Sequence, residues 1–292
     1  MQQRSIGDVR VSAIGLGGMP MSVEGRPDED RSVATIHAAL DAGVTLIDTA
    51  DAYHLGADEV GHDETGHNES LIARALRTWG GDTSGILVAT KGGHLRTQDG
   101  TWILDGRPEH LKRAARESAA RLGVEAIGLY QHHRPDPEVP YAETIGALAE
   151  LLDEGVIRLA GISNADLDQI RLANEVLGGR LAAVQNQFSP AFRSSLPELD
   201  LCAALGIAFL PWSPLGGMRH AGELAARHAA FDTVARRHGV SPQQVCLAWE
   251  LALSPTVVPI PGASRPETIR DSLGALDLTL TAEELASLNA AG

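Results

Sequence analysis

The chain has 292 residues, of which 43% are hydrophobic and 21% are charged, a balance typical of a globular protein with a large buried core. It has 24 lysine and arginine residues against 38 aspartate and glutamate residues, and this net charge of −14 argues against nucleic acid as a partner, because phosphate binding needs a basic surface. It contains no run of about 20 apolar residues and no apolar leader after Arg4, so we expect no membrane span and predict a cytoplasmic location.

Strands and helices are predicted to alternate along the whole chain. A short hairpin over residues 4–12 comes first, followed by a strand over residues 13–17 and an amphipathic helix over residues 31–42. Ser241 and Thr281 are typical N-cap residues and predict the starts of two late helices. The other predicted elements are strands ending near Asp48, Lys91 and His133, strands over residues 157–162, 182–186, 207–212 and 256–260, and helices over residues 69–79, 108–122 and 141–154.

Eight predicted strands separated by helices indicate a parallel sheet, because parallel strands need long crossover connections. No break in composition marks a second domain, so we predict a single domain over residues 1–292. The hydrophobic pattern alone fits both a closed barrel and an open, doubly wound sheet. Polar residues stand at nearly every predicted strand end, where a barrel has its active-site face, and this favours an α/β fold of the (β/α)8 TIM barrel type with a short N-terminal hairpin.

Four polar residues end or follow the early strands, and in a barrel they would meet in one pocket. They are Asp48, Tyr53, Lys91 and His133. A carbonyl that accepts a hydride needs a proton on its oxygen, and a tyrosine, with a reference pKa of about 10, needs a neighbouring cation that lowers this pKa. Lys91 would supply that charge, Asp48 would orient Lys91, and His133 would donate a hydrogen bond to the substrate oxygen. Each residue type alone more often has a structural role, so the prediction depends on their joint placement.

Short motifs that include these four residues occur over nearly the whole chain. They are Asp48-Thr-Ala-Asp-Ala-Tyr53, Ala89-Thr-Lys91, Leu129-Tyr-Gln-His-His133-Arg-Pro-Asp136, Gly161-Ile-Ser-Asn164, Gln185-Asn-Gln187, Trp212-Ser-Pro-Leu-Gly216 and Ile260-Pro-Gly262. In these motifs, and in their order along the chain, the sequence resembles the aldo-keto reductase family. The resemblance implies a (β/α)8 barrel that binds NADPH without a Rossmann domain and reversibly reduces an aldehyde or ketone. It also implies that Tyr53 is the general acid, tuned by Lys91 and Asp48, while His133 orients the carbonyl.

The same resemblance implies a cofactor site. Ser163, Asn164 and Gln185 match positions that hydrogen-bond the nicotinamide carboxamide, and Trp212 matches a residue that stacks on its ring. A loop that enters a helix at Pro266 would offer free backbone N–H groups to the 2′-phosphate, which implies NADPH rather than NADH. The matched positions for the pyrophosphate and the adenosine end are Ser213, Leu215, Gly217, Gly262, Ser264, Arg265, Arg270 and Asp271.

His132 needs a separate interpretation because it precedes the catalytic position. Neighbouring residues of a strand point to opposite faces, so if His133 faces the pocket, His132 faces the helices. We expect it to be a hydrogen-bonded core histidine, and we consider an exchange of the two roles the weaker alternative.

Two other functions compete with a reductase. The segment over residues 54–69 is rich in His, Asp and Glu, so a metal-dependent barrel hydrolase is one alternative, although a solvated loop is the simpler interpretation. A nucleotide-sensing regulatory subunit with little turnover is the other. The loops that would select the substrate, over residues 57–66, 95–106, 190–196 and 218–230, do not predict which small carbonyl compound is used, and the sequence leaves the oligomeric state open.

Overall fold

Parallel strands form a curled sheet at the centre of the computed structural model, which describes residues 1–218 and 220–291. Arg219, in the loop predicted over residues 218–230, and Gly292 lie outside the described residues. The strands are β1 (Gln3–Ile6), β2 (Val9–Ser12), β3 (Leu16–Gly17), β4 (Leu46–Asp48), β5 (Leu87–Gly92), β6 (His94–Arg96), β7 (Trp102–Leu104), β8 (Ile127–His132), β9 (Ile157–Ser163), β10 (Leu181–Gln185) and β11 (Ala208–Phe209). The central sheet has seven strands in the order β11-β10-β9-β8-β5-β4-β3, all paired in parallel.

Residues 256–262 close this sheet into a ring. The segment forms parallel bridges on both edges, Val257 with Phe209 and Gly262 with Gly17. Its two prolines lack the N–H groups that a continuous ladder requires, so the predicted eighth strand takes the form of isolated bridges. Because the ring is closed and alternates with helices, the predicted (β/α)8 barrel is confirmed.

Two predicted strands are much shorter in the structure than the sequence pattern indicates. Those expected over residues 13–17 and 207–212 are reduced to two residues each, β3 and β11. Both flank the irregular closing segment, so each has a regular ladder on one side only.

The helices surround the ring and follow the predicted order. Ser241 and Thr281 are N-caps, as predicted, and each side-chain oxygen accepts a hydrogen bond from the backbone N–H three residues later. The helices are α1 (Glu29–Asp41), α2 (Ala57–Val60), α3 (His67–Trp79), α4 (Pro108–Leu122), α5 (Tyr141–Asp153), α6 (Leu167–Val176), α7 (Leu196–Leu205), α8 (Leu224–Arg227), α9 (Ala229–His238), α10 (Pro242–Leu253), α11 (Pro266–Leu273) and α12 (Ala282–Ala290). Within the described part of the chain, each helix falls short of the length and apolar character needed to cross a membrane.

The predicted N-terminal hairpin covers one end of the barrel. β1 and β2 pair in antiparallel fashion, and Ile6 and Val11 are fully buried in an apolar cluster with Leu46 and Leu87. These two leucines are the first residues of β4 and β5, so the hairpin lies against the N-terminal ends of the strands. The hairpin therefore covers this end of the barrel with apolar side chains.

A second hairpin, formed by β6 and β7, follows β5 at the opposite end of the barrel. All of its residues except His94 fall in the segment 95–106, which was predicted to be a loop. Each strand has only three residues, which is too short for a hydrophobic period to be recognised.

The ring closure at Gly17 can be tested by adding a methyl group. A Cβ atom there would lie 2.8 Å from the carbonyl oxygen of Ile260 in the closing segment, so Gly17→Ala should lower the free energy of unfolding by about 1–3 kcal/mol. The matched control is Gly146→Ala in α5, where no atom lies within 4 Å of the added Cβ and alanine should stabilise the helix by about 0.5–1 kcal/mol. Urea denaturation measures both values, and an unchanged Gly17→Ala variant would contradict closure at this point.

Candidate active site

The four residues predicted to meet at the strand ends do lie together. Asp48 ends β4, Tyr53 follows it in the next loop, Lys91 is in β5, and His133 comes directly after β8. The Lys91 ammonium donates hydrogen bonds to Asp48 Oδ1 at 2.6 Å and to the Tyr53 hydroxyl at 3.3 Å. The Tyr53 and His133 rings meet edge to face, with centroids 5.8 Å apart. One phenol, one ammonium, one carboxylate and one imidazole therefore share a single buried cluster.

Lys91 is a fully buried cation, and its partners compensate its charge. Its side chain is 0% exposed, and the ammonium also donates to the Thr49 carbonyl at 2.8 Å. Burial by itself would lower the pKa of Lys91, but the charges and hydrogen bonds of Asp48 and Tyr53 outweigh burial and raise it. The ammonium is therefore charged at neutral pH.

The pKa of Tyr53 does not follow the sequence-based expectation. Burial raises it, and although Lys91 acts in the expected direction and lowers it, the net pKa stays above the ordinary value of tyrosine. Our prediction of a net lowering is wrong for this structure because it left out the cost of placing a phenolate in a buried site. The hydroxyl thus holds its proton at neutral pH, as a general acid must before it reacts.

His133 is a neutral imidazole directed into the pocket. Burial, followed by the charge of Lys91, lowers its pKa well below the usual range. Its Nδ1 atom is buried without a hydrogen-bond partner among the described residues, so Nε2 is the nitrogen that a ligand can reach. A neutral ring with its proton on Nε2 can donate one hydrogen bond to an oxygen in the pocket.

These residues open into a cavity of 610 Å³ at the C-terminal end of the barrel. Two thirds of the predicted cofactor residues line it. They are Ser163, Asn164, Gln185, Trp212, Ser213, Leu215, Gly217 and Gly262.

The other four predicted cofactor residues lie outside this cavity lining: Ser264 and Arg265 directly precede α11, and Arg270 and Asp271 are in its second half. The Asp271 carboxylate accepts hydrogen bonds from Ser241 Oγ and Gln244 Nε2, both at 2.8 Å. It is therefore bound to the first turn of α10. The side chains of Arg265 and Arg270 are exposed.

The residues predicted to hold the nicotinamide are already joined by hydrogen bonds. Ser163 Oγ donates to the Gln185 carbonyl at 2.7 Å, and Trp212 Nε1 donates to Asn164 Oδ1 at 3.2 Å. Gln185 Nε2 donates to Asp48 Oδ2 at 2.8 Å, whereas its Oε1 has no partner among the described residues. Asn164 has a φ of 58°, a left-handed backbone that asparagine tolerates better than most residues. These hydrogen bonds hold this wall of the pocket in place, and Gln185 Oε1 remains available as an acceptor for a ligand.

Sequence reasoning missed two polar residues of the cavity. His94, in β6, packs against Trp102 in a tilted arrangement with ring centroids 4.7 Å apart, and it meets His133 edge to face at 5.0 Å. Arg134 also lines the cavity, and its position directly after His133 was the signal that could have identified it. No comparable signal marks His94, because its place depends on the second hairpin.

His132 faces the helices, as predicted, with its ring 5.8 Å from that of Tyr141. The predicted hydrogen bond is absent, because neither ring nitrogen has a partner among the described residues. Burial lowers the pKa of His132 to about 4, so the ring is neutral and packs as an apolar group.

The His-, Asp- and Glu-rich segment over residues 54–69 forms α2 and the start of α3. His67 Nδ1 lies 2.8 Å from Ser22 Oγ, and the buried Glu69 carboxylate pairs with Arg121 at 2.5 Å. In residues 1–218 and 220–291, no group of three or more His, Cys, Asp or Glu side chains is arranged to hold a metal ion. The hydrolase alternative finds no support in this part of the chain.

Comparison with known proteins gives consistent matches over the whole ring. The model of the aldo/keto reductase family matches residues 13–292. A 6-dehydroglucose reductase of Novosphingobium aromaticivorans is 35% identical over 276 residues, which cover 92% of this chain and 87% of that protein. An uncharacterized oxidoreductase of Schizosaccharomyces pombe is 33% identical over 291 residues, which cover 98% of this chain and 89% of that protein. The crystal structure of a thermostable aldo-keto reductase in complex with the inhibitor epalrestat has a TM-score of 0.84 at 27% identity and covers 100% of both chains.

The pairing of Lys91 with Asp48 should dominate the stability of this site. Asp48→Asn leaves the buried ammonium without its counter-charge and should lower the free energy of unfolding by about 3–5 kcal/mol in urea denaturation at pH 7. The control is Asp153→Asn, which breaks the exposed pair of Asp153 with Arg180 and should cost less than about 1 kcal/mol. Equal losses in both variants would contradict the central role of the buried pair.

Proposed function

The chain belongs to the aldo/keto reductase family of oxidoreductases, and on this premise we propose that it reduces an aldehyde or ketone to the alcohol with NADPH. One observation carries the proposal: the Tyr53 hydroxyl lies 3.3 Å from the Lys91 ammonium, with the His133 ring edge to face beside it, in a cavity large enough for a small ligand. The reverse oxidation of the alcohol would use the same groups.

In the proposed reaction this chain controls the carbonyl oxygen. The His133 Nε2–H donates a hydrogen bond that orients the oxygen and polarises the carbonyl. The Tyr53 hydroxyl transfers its proton to the same oxygen as negative charge develops there. The phenolate that remains is stabilised by Lys91, which Asp48 holds in place. When bound, the reduced nicotinamide supplies the hydride.

The pocket wall fits a nicotinamide carboxamide. The free Gln185 Oε1 is an acceptor for the carboxamide N–H groups, and the second lone pair of Asn164 Oδ1 is another. Trp212 lines the cavity and offers a flat apolar face for the ring. Ser213 and Gly217 have positive φ angles of 52° and 91°, which bring the backbone of this loop to the cavity for the pyrophosphate.

A preference for NADPH over NADH is part of the proposal and is supported by the start of α11. The first turn of a helix presents unpaired N–H groups, which favour an anion such as the 2′-phosphate. Arg265 is the N-cap residue of this helix, with an exposed side chain and no ion pair among the described residues. Ser264 precedes it and adds a hydroxyl donor.

The substrate proposed is a small carbonyl compound. The relative named 6-dehydroglucose reductase supports a polar compound rather than a purely apolar one. We propose no nucleic-acid partner and no membrane association, and a cytoplasmic location stays a prediction of the sequence.

Tyr53→Phe should abolish reduction while NADPH affinity changes by no more than a few-fold, because only the proton donor is removed. The assay is NADPH consumption with a panel of aldehydes and ketones. Tyr130→Phe, which removes another fully buried hydroxyl away from the cavity, should keep wild-type activity. A Tyr53→Phe variant with more than a tenth of the activity would disprove the assignment of the acid. NADPH binding without turnover in the wild type would instead favour the nucleotide-sensing alternative.

Arg265→Ala should weaken NADPH binding on the order of tenfold and NADH binding much less, since a hydrogen bond to a charged group contributes about 1.5–3 kcal/mol and this site is exposed. Fluorescence titration with both cofactors measures the difference. Arg236→Ala in α9, where the guanidinium is exposed and pairs with Asp232, removes a charge elsewhere and should affect neither cofactor. Equal losses of affinity for NADPH and NADH would show that Arg265 does not bind the 2′-phosphate.

A further inference from the structure

Arg134 is a half-buried cation without a protein partner. It lines the cavity beside His133, and it makes no ion pair and no side-chain hydrogen bond within residues 1–218 and 220–291. Every other half-buried arginine of these residues has such a partner: Arg4 donates to the Leu251 carbonyl, Arg26 pairs with Glu64, Arg96 donates to the Gly100 carbonyl, Arg121 pairs with Glu69, and Arg193 donates to the Leu288 carbonyl. Because Arg134 lies in the wall of an open cavity, its N–H donors are available to a ligand that enters the cavity.

The charge of the cavity defines what that partner must be. Asp48 is the one acidic residue in the cavity lining, and Lys91 already neutralises it. Burial, followed by the charge of Arg134, lowers the pKa of His94 to about 4, so this imidazole is neutral. Arg134 is therefore the uncompensated charge of the lining, and the site is complementary to one negative charge.

The position of Arg134 separates it from the residues proposed for the cofactor phosphates. It follows β8, whereas Ser213 and Gly217 follow β11, which lies three strands further around the ring. His133, its neighbour in the chain, is the group proposed to bind the carbonyl oxygen. A negative group held by Arg134 would thus be on the substrate, only a few atoms from the carbonyl. Trp102 and Leu104 of the second hairpin line the same cavity and would contact the carbons between them.

We propose that Arg134 binds a carboxylate of the substrate, so that the protein acts on oxo acids, compounds with a carboxylate a few atoms from an aldehyde or ketone. The planar guanidinium presents two parallel N–H donors that match the two oxygens of a carboxylate. A doubly charged phosphate would leave one negative charge uncompensated, because the lining offers no second cation. This inference rests on the proposed carbonyl reduction and specifies its substrate class.

The test compares 4-oxobutanoate with its uncharged methyl ester. In the wild type, kcat/KM with NADPH should be at least about tenfold higher for the acid. Arg134→Gln should reduce this ratio to about one, and Arg134→Lys, which keeps the charge but loses the paired donors, should give an intermediate ratio. Arg158→Gln is the matched control, because Arg158 is exposed near the N-terminal end of β9 and far from the cavity. A wild-type ratio near one, or a ratio that Arg134→Gln leaves unchanged, would overturn the inference.

A binding measurement separates this inference from the proposed function. Butanoate carries one carboxylate and no reducible carbonyl, and calorimetry with and without NADP measures its affinity independently of turnover. Butanoate should bind at least about fivefold more weakly to Arg134→Gln than to the wild type and to Arg158→Gln. If no carbonyl compound is reduced, the proposed function fails, while the butanoate titration still decides on Arg134. Equal butanoate affinities in the wild type and Arg134→Gln, or no butanoate binding to the wild type, would overturn the assignment. A loss of NADPH affinity in Arg134→Gln without a loss of the carboxylate preference would overturn it as well.

Discussion

The ammonium of Lys91 is buried away from solvent, so its charge must be compensated by protein groups. The arrangement of side chains at the open end of the barrel meets this requirement. Asp48, Tyr53 and the Thr49 carbonyl all lie within hydrogen-bond distance of the ammonium. The second oxygen of Asp48 accepts from Gln185, so one carboxylate connects the proton-donating group with the proposed nicotinamide wall. Asp48 is the member whose removal costs most, because it leaves the buried ammonium without a counter-charge.

The two ends of the barrel differ in what they contain. At the N-terminal end, the first hairpin packs the fully buried Ile6 and Val11 against the first residues of the strands. At the C-terminal end, polar side chains replace this packing and a cavity of 610 Å³ remains. The apolar packing at one end holds the strands while the other end carries buried polar groups that would otherwise weaken the fold.

Much of this arrangement could be predicted, because strand ends and helix caps have local signals. Asp48, Lys91 and His133 were placed by the rule that parallel strands end on one face, and Thr281 by its capping box. The second hairpin could not be predicted, since its strands are too short for a period. The direction of the Tyr53 pKa and the unpaired ring of His132 depend on burial, which a sequence pattern does not reveal. The single-domain organisation over residues 1–292 and the roles of the cofactor residues stay predictions.

The second hairpin pairs only with itself, and it brings His94 and Trp102 to the cavity without joining the central sheet. Its strands share no ladder hydrogen bond with the ring, so substitutions on them need not disturb the pairing of the central sheet. The hairpin can therefore vary in sequence and still leave the central sheet paired, although its side chains line the cavity. In evolutionary terms, amino-acid replacement in this hairpin is a route by which the shape of the cavity can change without a change in the ring.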